Sequence, residues 1–181
     1  ISKNYKNKDE AFLEEHLVSK EPFGQFKAWF EDACTRKEIL EPNAMCWPQK
    51  AKLVDSIPSA RYVLLKGYGK DGFKFYTNYG SRKAKEMEEN PRVAATFYWE
   101  FLNRSIRIEG VVEKVSEEDS IKYFHSWPVP SQIAACASFV RERKSWRGGY
   151  IIRPNAVEFW QGQMSRLSDR IKFRKPMNGG T

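Results

Sequence analysis

The sequence predicts an α+β protein, mainly β, built as a small antiparallel barrel with peripheral helices. Three observations support this prediction: apolar segments of strand length recur along the chain, turn signals join several of them, and amphipathic segments with helical spacing lie between them. The chain has 181 residues, of which 41% are hydrophobic and 14% aromatic. This composition provides a packed core and excludes an intrinsically disordered protein.

One domain is expected at residues 20–181, preceded by an N-terminal arm at residues 1–19. The arm is polar and charged and carries no visible secretory signal, and no apolar run reaches the ~20 residues of a membrane helix. The three cysteines are too widely spaced for a zinc site or a disulfide framework. We therefore expect buried free thiols, no bound metal and a cytoplasmic location.

The first half of the chain predicts one long helix and a β-hairpin. Phe23, Phe26 and Trp29 recur at helical spacing, with charged residues on the opposite face. An Asp71-Gly72 turn between two apolar runs is typical of a hairpin. The predicted elements are a helix at 22–37 and strands at 44–47, 59–68 and 73–77.

The second half predicts three shorter helices among five strands. Ser81 is a suitable N-cap for a helix that Asn90-Pro91 ends, and Ser116 begins another with acidic residues in its first turn. The predicted elements are helices at 82–89, 116–125 and 131–137 and strands at 92–101, 105–115, 149–153, 156–161 and 167–174.

The chain is basic, with 31 Lys and Arg residues against 23 Asp and Glu residues and a formal net charge of +8. This charge is compatible with nucleic acid, an anionic membrane surface or small phosphorylated molecules as partners. Composition alone does not choose among the three classes.

Two basic segments are candidate anion sites. Arg61 and Lys66 lie on one predicted strand, where simple alternation places them on opposite faces unless a bulge or the strand's end intervenes. Arg82 and Lys83 begin a helix, where backbone N–H groups and the helix dipole favour a phosphate. The alternative for this second segment is a solvated first turn, which the residues alone favour.

Two further motifs allow a structural and a functional interpretation. Trp160 is either a core residue or a platform for a planar ring, while Arg166 and Arg170 either clamp an anion or pair with Asp169. Residues 67–72 match the GxGxxG pattern, but a strand pattern follows them. A glycine-rich hairpin is therefore predicted rather than a dinucleotide-binding loop.

Several segments, taken together and in order, carry a recognisable pattern. They are residues 59–67 (SARYVLLKG), 75–78 (FYTN), 81–83 (SRK), 97–100 (FYWE), 107–110 (RIEG), 123–126 (YFHS), 158–162 (EFWQG) and 166–170 (RLSDR). The pattern resembles the pyridoxine (pyridoxamine) 5′-phosphate oxidase family over residues 12–174. The resemblance implies an FMN-binding split β-barrel that forms a homodimer with the flavin at the subunit interface.

The resemblance also implies an activity, the oxidation of pyridoxine 5′-phosphate or pyridoxamine 5′-phosphate to pyridoxal 5′-phosphate. In this chemistry a hydride passes from the substrate to FMN, and O2 reoxidises the flavin to give hydrogen peroxide. Nucleic acid and membrane are then not expected as partners.

The family's site residues are carried over position by position. Residues implied to contact the flavin are Arg61, Tyr62, Val63, Leu64, Tyr76, Thr77, Trp160 and Arg170, with Arg82 and Lys83 on its phosphate. Residues implied to bind the substrate phosphate are Lys66, Tyr123 and Ser131. Arg166 is implied to lie over the substrate ring as the catalytic residue.

The chain departs from the family pattern mainly on the substrate side. Trp127 stands where the family has an arginine that binds the substrate phosphate, and Ser168 stands where it has a histidine. Ser105 replaces a flavin-contacting glutamine, and the family's Gln-Ser pair has no match at Phe139-Val140. About thirty residues usual before Lys144 are absent, as is the usual C-terminal tail (such differences fall mostly in loops). These departures predict impaired catalysis, with a non-catalytic homologue that binds FMN or pyridoxal phosphate as the alternative.

Overall fold

The computed structural model describes residues 12–49, 58–142, 147–162 and 169–175. Its helices are α1 (Pro22–Thr35), α2 (Arg82–Glu89), α3 (Glu117–His125) and α4 (Val129–Glu142). Its strands are β1 (Ala44–Gln49), β2 (Ser59–Gly69), β3 (Gly72–Asn78), β4 (Arg92–Trp99), β5 (Arg104–Lys114), β6 (Arg147–Gln161) and β7 (Asp169–Arg174). Single 3-10 turns lie at Glu14–His16 and Glu100–Leu102.

Six strands form a closed antiparallel barrel. Their order is β3-β2-β1-β4-β5-β6, and β6 pairs back with β3 to complete the ring. β7 pairs with the second half of β6, from Ala156 to Gln161, and so extends the sheet beyond the ring. The predicted fold class, a mainly β barrel with peripheral helices, is confirmed.

The hairpin prediction for the glycine-rich segment is confirmed. Gly69 pairs with Gly72, so Lys70 and Asp71 form a two-residue loop between β2 and β3. Gly72 has a φ of +139°, which a residue with a side chain rarely adopts. A strand rather than a helix follows, so the segment lacks the geometry of a dinucleotide-binding loop.

The two strands predicted at 149–153 and 156–161 are one strand, β6. The prediction was wrong here because Pro154-Asn155 has the composition of a break. In the structure the register with β5 shifts between Glu109 and Gly110, which face Ala156 and Pro154. Asn155 is thus the extra residue of a bulge, a position where a proline next to it is tolerated within a sheet.

Aromatic side chains dominate the barrel core, which α1 covers. Phe26 of α1 is fully buried, and its ring contacts those of Phe73 and Phe97 with centroids 4.9 and 5.4 Å apart. Phe12 packs on Trp29 with centroids 5.0 Å apart, and its backbone N–H donates to Asp169 at 2.8 Å. The last part of the predicted N-terminal arm, residues 12–19, therefore lies against the barrel.

The expectation of buried thiols is wrong for two of the three cysteines. Cys34 and Cys136 are exposed, while Cys46 on β1 is half-buried, and all three are free thiols. Cys34 lies near the end of α1, outside its buried face, and Cys136 lies on α4. Among the described residues, no helix combines the length and apolar character required to span a bilayer.

Strand alternation divides the barrel wall into an inner and an outer face. On β2, Val63 and Leu65 are buried in the core, whereas Tyr62 and Leu64 point outward and are exposed. On β4, Tyr98 is likewise exposed between two buried neighbours. The outer wall of β2, β1 and β4 therefore presents apolar and aromatic side chains to solvent.

Candidate functional site

A cluster of cations lies where α2 meets the start of β2. Ser81 caps α2, because its Oγ accepts the backbone N–H of Ala84 at 3.2 Å. Arg82 and Lys83 follow in the first turn, where the helix dipole is positive. Arg61 reaches the same place from β2. The structure thus brings three predicted phosphate or flavin residues together.

The carboxylate of Glu86 is the centre of this cluster. Its Oε2 lies 3.0 Å from Nη1 of Arg61, and its Oε1 lies 2.8 Å from Nε of Arg82. Ser59 donates to the same carboxylate at 3.0 and 3.1 Å, and Arg61 also donates to the Ser59 hydroxyl. Burial alone would raise the pKa of Glu86, but the hydrogen bonds from Arg61, Ser59 and Arg82 hold it below its ordinary value.

Lys83 is the cation of the cluster that Glu86 does not neutralise. Within the described ranges it forms no ion pair with a carboxylate. Burial, followed by repulsion from Arg61, lowers the pKa of Lys83 to about 8. A half-buried cation beside a helix N-terminus can attract an anion, while Arg82 in the same turn is mostly exposed, with 69% of its side chain accessible to solvent.

The other predicted residues of β2 lie on different faces. Tyr62, Leu64 and Lys66 are exposed on the outer face, while the side chain of Val63 is in the core. Only the main chain of Val63 could therefore touch a flavin. The register with β3 does shift after Leu65, but Lys66 remains on the face opposite Arg61, as simple alternation predicts.

Tyr76 and Thr77 lie next to each other on β3, across from the two glycines that begin β6. Tyr76 pairs with Gly149, and Thr77 with Gly148. A Cβ at Gly149 would collide with Cγ2 of Val115 and would stand 2.7 Å from Cε1 of Tyr76, so the absence of a side chain there makes room for both side chains. Lys74 of β3 pairs with Asp119 of α3 at 3.1 Å, which holds α3 beside this strand.

Tyr123 of α3 brings the predicted substrate side to Tyr76. The two rings are stacked, and the edge of Tyr123 meets Trp127 with centroids 5.5 Å apart. Ser131 lies at the start of α4, where its backbone N–H donates to the carbonyl of Pro128 at 2.8 Å. The next residue, Gln132, donates to the carbonyl of Trp127 at 2.8 Å. Trp127 is therefore held between Tyr123, on which its ring packs, and Gln132, the residue after Ser131.

Trp160 and Arg170 form a separate group on the outer face. They are direct cross-strand partners on β6 and β7, and Trp160 also faces Ser105 of β5. Around the closed ring, β1, β4 and β5 separate β6 from β2 on one side and β3 separates them on the other. β3 pairs with the first half of β6, however, whereas Trp160 lies in the second half, which pairs with β7. One chain thus places its predicted flavin residues in two groups on different parts of the barrel.

Some predicted positions lie outside the described residues. These are Arg166 and Ser168, in the segment 163–168. Phe139 and Val140, where the family has its Gln-Ser pair, lie within the described helix α4.

Sequence reasoning missed the two residues that organise the cation cluster, Glu86 and Ser59. The spacing of Arg82 and Glu86, four residues apart on a helix, indicates an ion pair and could have identified Glu86. Ser59 and Arg61, two residues apart on a strand, share a face. The contact between Glu86 and Arg61 spans 25 residues and depends on the fold.

Comparison with known proteins identifies two family models. One, described as pyridoxamine 5′-phosphate oxidase, matches residues 52–161. The other, described as a pyridoxine 5′-phosphate oxidase C-terminal dimerisation region, matches residues 146–180.

Two curated relatives extend over nearly the whole chain. Pyridoxine/pyridoxamine 5′-phosphate oxidase of Bombyx mori is 61% identical over 202 aligned positions, covering 97% of this chain and 78% of the relative. Pyridoxine-5′-phosphate oxidase of Bos taurus is 46% identical, covering 99% and 78%. The first alignment is longer than the 181 residues of this chain, so the silkworm protein contains internal segments that this chain lacks.

A solved structure supports the fold. PhzG from Burkholderia lata 383, in complex with tetrahydrophenazine-1-carboxylic acid, has a TM-score of 0.77 at 22% identity and covers 94% of each chain. At this identity the likeness concerns the fold alone. The match of the family model to more than half of the chain, together with the two relatives, decides the family. The chain belongs to the pyridoxamine 5′-phosphate oxidase family.

Proposed function

We propose that this chain is an FMN-dependent oxidase that converts pyridoxine 5′-phosphate or pyridoxamine 5′-phosphate to pyridoxal 5′-phosphate, with O2 as electron acceptor. The observation that carries the proposal is the cation cluster at the start of α2 in a chain of this family. Lys83 supplies a half-buried positive charge without a carboxylate partner in the described ranges, which suits a phosphate monoester.

The residues of this chain fit FMN at both ends of the cofactor. Arg61, Arg82 and Lys83 would hold the phosphate, and the exposed Tyr62 and the half-buried Trp160 offer aromatic surfaces for a planar ring. Bound there, FMN would supply the hydride acceptor and the route by which electrons reach O2. The protein's part is to position the substrate beside the cofactor and to exclude water.

The substrate phosphate is proposed to bind at Lys66, Tyr123 and Ser131, with Arg166 over the substrate ring. Trp127 lies against Tyr123 where the family pattern has a cation. The loss of one charge-assisted hydrogen bond costs roughly 1.5–3 kcal/mol. Substrate affinity about tenfold to a hundredfold weaker than with the arginine is therefore proposed, and catalysis is correspondingly impaired at low substrate concentration.

A homodimer with the flavin at its interface would unite the two groups of flavin residues. Trp160 and Arg170 lie apart from the cation cluster within one chain, and the intervening outer wall carries Tyr62 and Tyr98. The match to a dimerisation region over residues 146–180 supports this proposal. The free cysteines suit a reducing compartment, and a cytoplasmic location is proposed on that ground.

The test of this function combines flavin absorbance with a peroxide assay on one preparation. Purified protein supplied with FMN should retain a flavin absorbance band and release peroxide when pyridoxamine 5′-phosphate is added. Protein that retains no flavin would contradict the proposal.

The alternative is a homologue that binds FMN or pyridoxal phosphate without turnover, which the aromatic side chain of Trp127 favours. It would bind flavin but release no peroxide. Steady peroxide release at a rate ordinary for the family would exclude this alternative.

A further inference from the structure

We propose that Glu86 is an internal counter-ion of the phosphate site, whose charge weakens the attraction of the cation cluster for phosphate while it holds Arg61 and Arg82 in the ligand-free protein. The inference rests on the proposed function, in which this cluster receives the phosphate of FMN. It assigns a role to a residue that itself does not touch the ligand.

The first argument is the position of the carboxylate. Glu86 is 5% exposed, and each of its two oxygens accepts from a different guanidinium, at 3.0 Å from Arg61 and 2.8 Å from Arg82. Ser59 supplies a further hydrogen bond to both oxygens. A buried carboxylate with this set of donors is ionised and cannot turn away toward solvent.

The second argument is the charge of the cluster. The cluster contains three cations and one carboxylate, so its net charge is +2: Arg61 and Arg82 pair with Glu86, and Lys83 lies near Arg61. A phosphate monoester carries about −1.5 to −2 at neutral pH, so the cluster and its ligand neutralise each other. Without the carboxylate the cluster would carry +3, and in the absence of ligand its cations would repel one another.

The third argument is that Glu86 by itself holds both arginines, through its ion pairs with Arg61 and Arg82. Long cationic side chains in solvent lose rotamer freedom when they bind an anion. Because Glu86 already fixes Arg61 and Arg82, part of this ordering precedes phosphate binding. The same carboxylate repels the incoming phosphate, and we expect the repulsion to dominate because it acts across a partly buried site.

The experiment compares the parent chain with Glu86→Gln, using inorganic phosphate as the probe. Thermal melting at increasing phosphate concentration gives an apparent phosphate affinity and requires no flavin. Glu86→Gln should melt at a lower temperature than the parent in phosphate-free buffer, and it should bind phosphate roughly tenfold more tightly. FMN should also bind more tightly to the variant, while riboflavin, which has no phosphate, should bind equally to both proteins.

Glu88→Gln is the matched control. Glu88 lies on the same helix, but it is exposed and pairs with Lys114 at 2.8 Å, outside the cluster. The same chemical change there should leave the response to phosphate as in the parent. A merely structural role of Glu86 would lower the melting temperature without increasing the response to phosphate.

The phosphate affinities of the variants decide between the counter-ion role and its alternatives. Phosphate affinity in Glu86→Gln that is equal to or weaker than in the parent overturns the counter-ion role and leaves the phosphate site intact. No stabilisation of any protein by phosphate or FMN overturns the site itself, and the counter-ion role with it. If Glu86→Gln does not fold, the comparison is made between Arg82→Gln and the double variant Arg82→Gln/Glu86→Gln, whose cluster has one cation fewer. Tenfold tighter phosphate binding by the double variant supports the proposal, and unchanged binding overturns it.

Discussion

The ring of Tyr123 lies flat on the ring of Tyr76, with centroids 3.5 Å apart and planes inclined by 16°. Tyr76 belongs to β3 and to the proposed flavin site, whereas Tyr123 belongs to α3 and to the proposed substrate site. The contact therefore joins the two halves of the candidate site. A change that moves one ring should therefore alter both FMN binding and substrate binding.

Gly149→Ala is expected to disturb the flavin half through Tyr76. The added methyl group would collide first with Cγ2 of Val115 and would lie 2.7 Å from Cε1 of Tyr76, so both side chains would have to shift. FMN affinity should fall by about tenfold, the cost of one lost ring contact, measured by quenching of flavin fluorescence. Gly69→Ala, where no atom lies within 4 Å of the added group, is the control and should retain parental affinity. Equal affinities for both variants would show that Tyr76 is not a flavin contact.

Trp127→Arg is expected to strengthen substrate binding more than flavin binding. The new guanidinium would stand beside Tyr123, where it can add a charge-assisted hydrogen bond to a phosphate. Affinity for pyridoxamine 5′-phosphate should rise about tenfold to a hundredfold, and FMN affinity should change little. Binding titrations with each ligand separate the two effects, and unchanged substrate affinity would remove this position from the phosphate site.

Lys83→Ala is expected to weaken FMN binding by at least about tenfold, since it removes a charged phosphate partner. Riboflavin should bind equally well to the variant and the parent, because it has no phosphate. Lys85→Ala is the control, since Lys85 is an exposed cation of the same helix. A parental FMN affinity in Lys83→Ala would place the phosphate elsewhere.

FMN affinity is expected to fall as the pH rises through the pKa of Lys83. Burial lowers this pKa to about 8, and only the protonated amine attracts phosphate. The affinity should drop about tenfold between pH 7 and pH 9, while the phosphate stays dianionic throughout. Fluorescence titrations across this range would show the drop in the parent and a flatter profile in Lys83→Ala. A flat profile in the parent would contradict the assignment.

The same pKa has the opposite consequence for the stability of the ligand-free protein. The folded-state pKa of Lys83 lies below its ordinary value of 10.5, so between about pH 8 and pH 10.5 the unfolded chain binds more protons at this residue. The contribution of Lys83 to the free energy of unfolding therefore increases as the pH rises through that range. Urea denaturation of the parent and of Lys83→Ala, without ligand, measures the difference.

Phe26→Ala is expected to cost about 3–5 kcal/mol of folding free energy, the usual range for a fully buried phenylalanine. Phe26 contacts four aromatic rings, those of Phe30, Tyr68, Phe73 and Phe97. Urea denaturation gives the change, with Phe101→Ala at a half-exposed position as the control. A loss below about 1 kcal/mol would mean that α1 does not close the core.

Most elements of the fold could be predicted because their periodicity and turn residues are local. Ser81 and Ser116, for example, do cap α2 and α3. The continuity of β6 could not be predicted, because Pro154 is tolerated only through a bulge that depends on pairing with β5. That pairing joins segments far apart in the sequence, so local composition does not predict it.

The candidate site was predicted less completely, for the same reason. The motif around Arg82 and Lys83 was visible, but the residues alone favoured a solvated turn, and the family resemblance was needed to assign it. The closeness of Arg61 to Glu86 and of Tyr76 to Tyr123 arises from contacts between distant segments. Such contacts follow from the closed barrel rather than from the spacing of residues along the chain.

Because β7 lies outside the closed ring, one of its edges could pair with a strand of another copy of the chain. Among the described strands, β7 pairs with β6 alone, so its second edge has backbone groups to which another chain could add a strand. Arg170, Lys172 and Arg174 alternate along one face of this strand. Like charges there would face each other if two copies joined edge to edge, which makes that association unfavourable. The exposed Arg170 and Arg174 thus disfavour edge-to-edge association of two copies at β7.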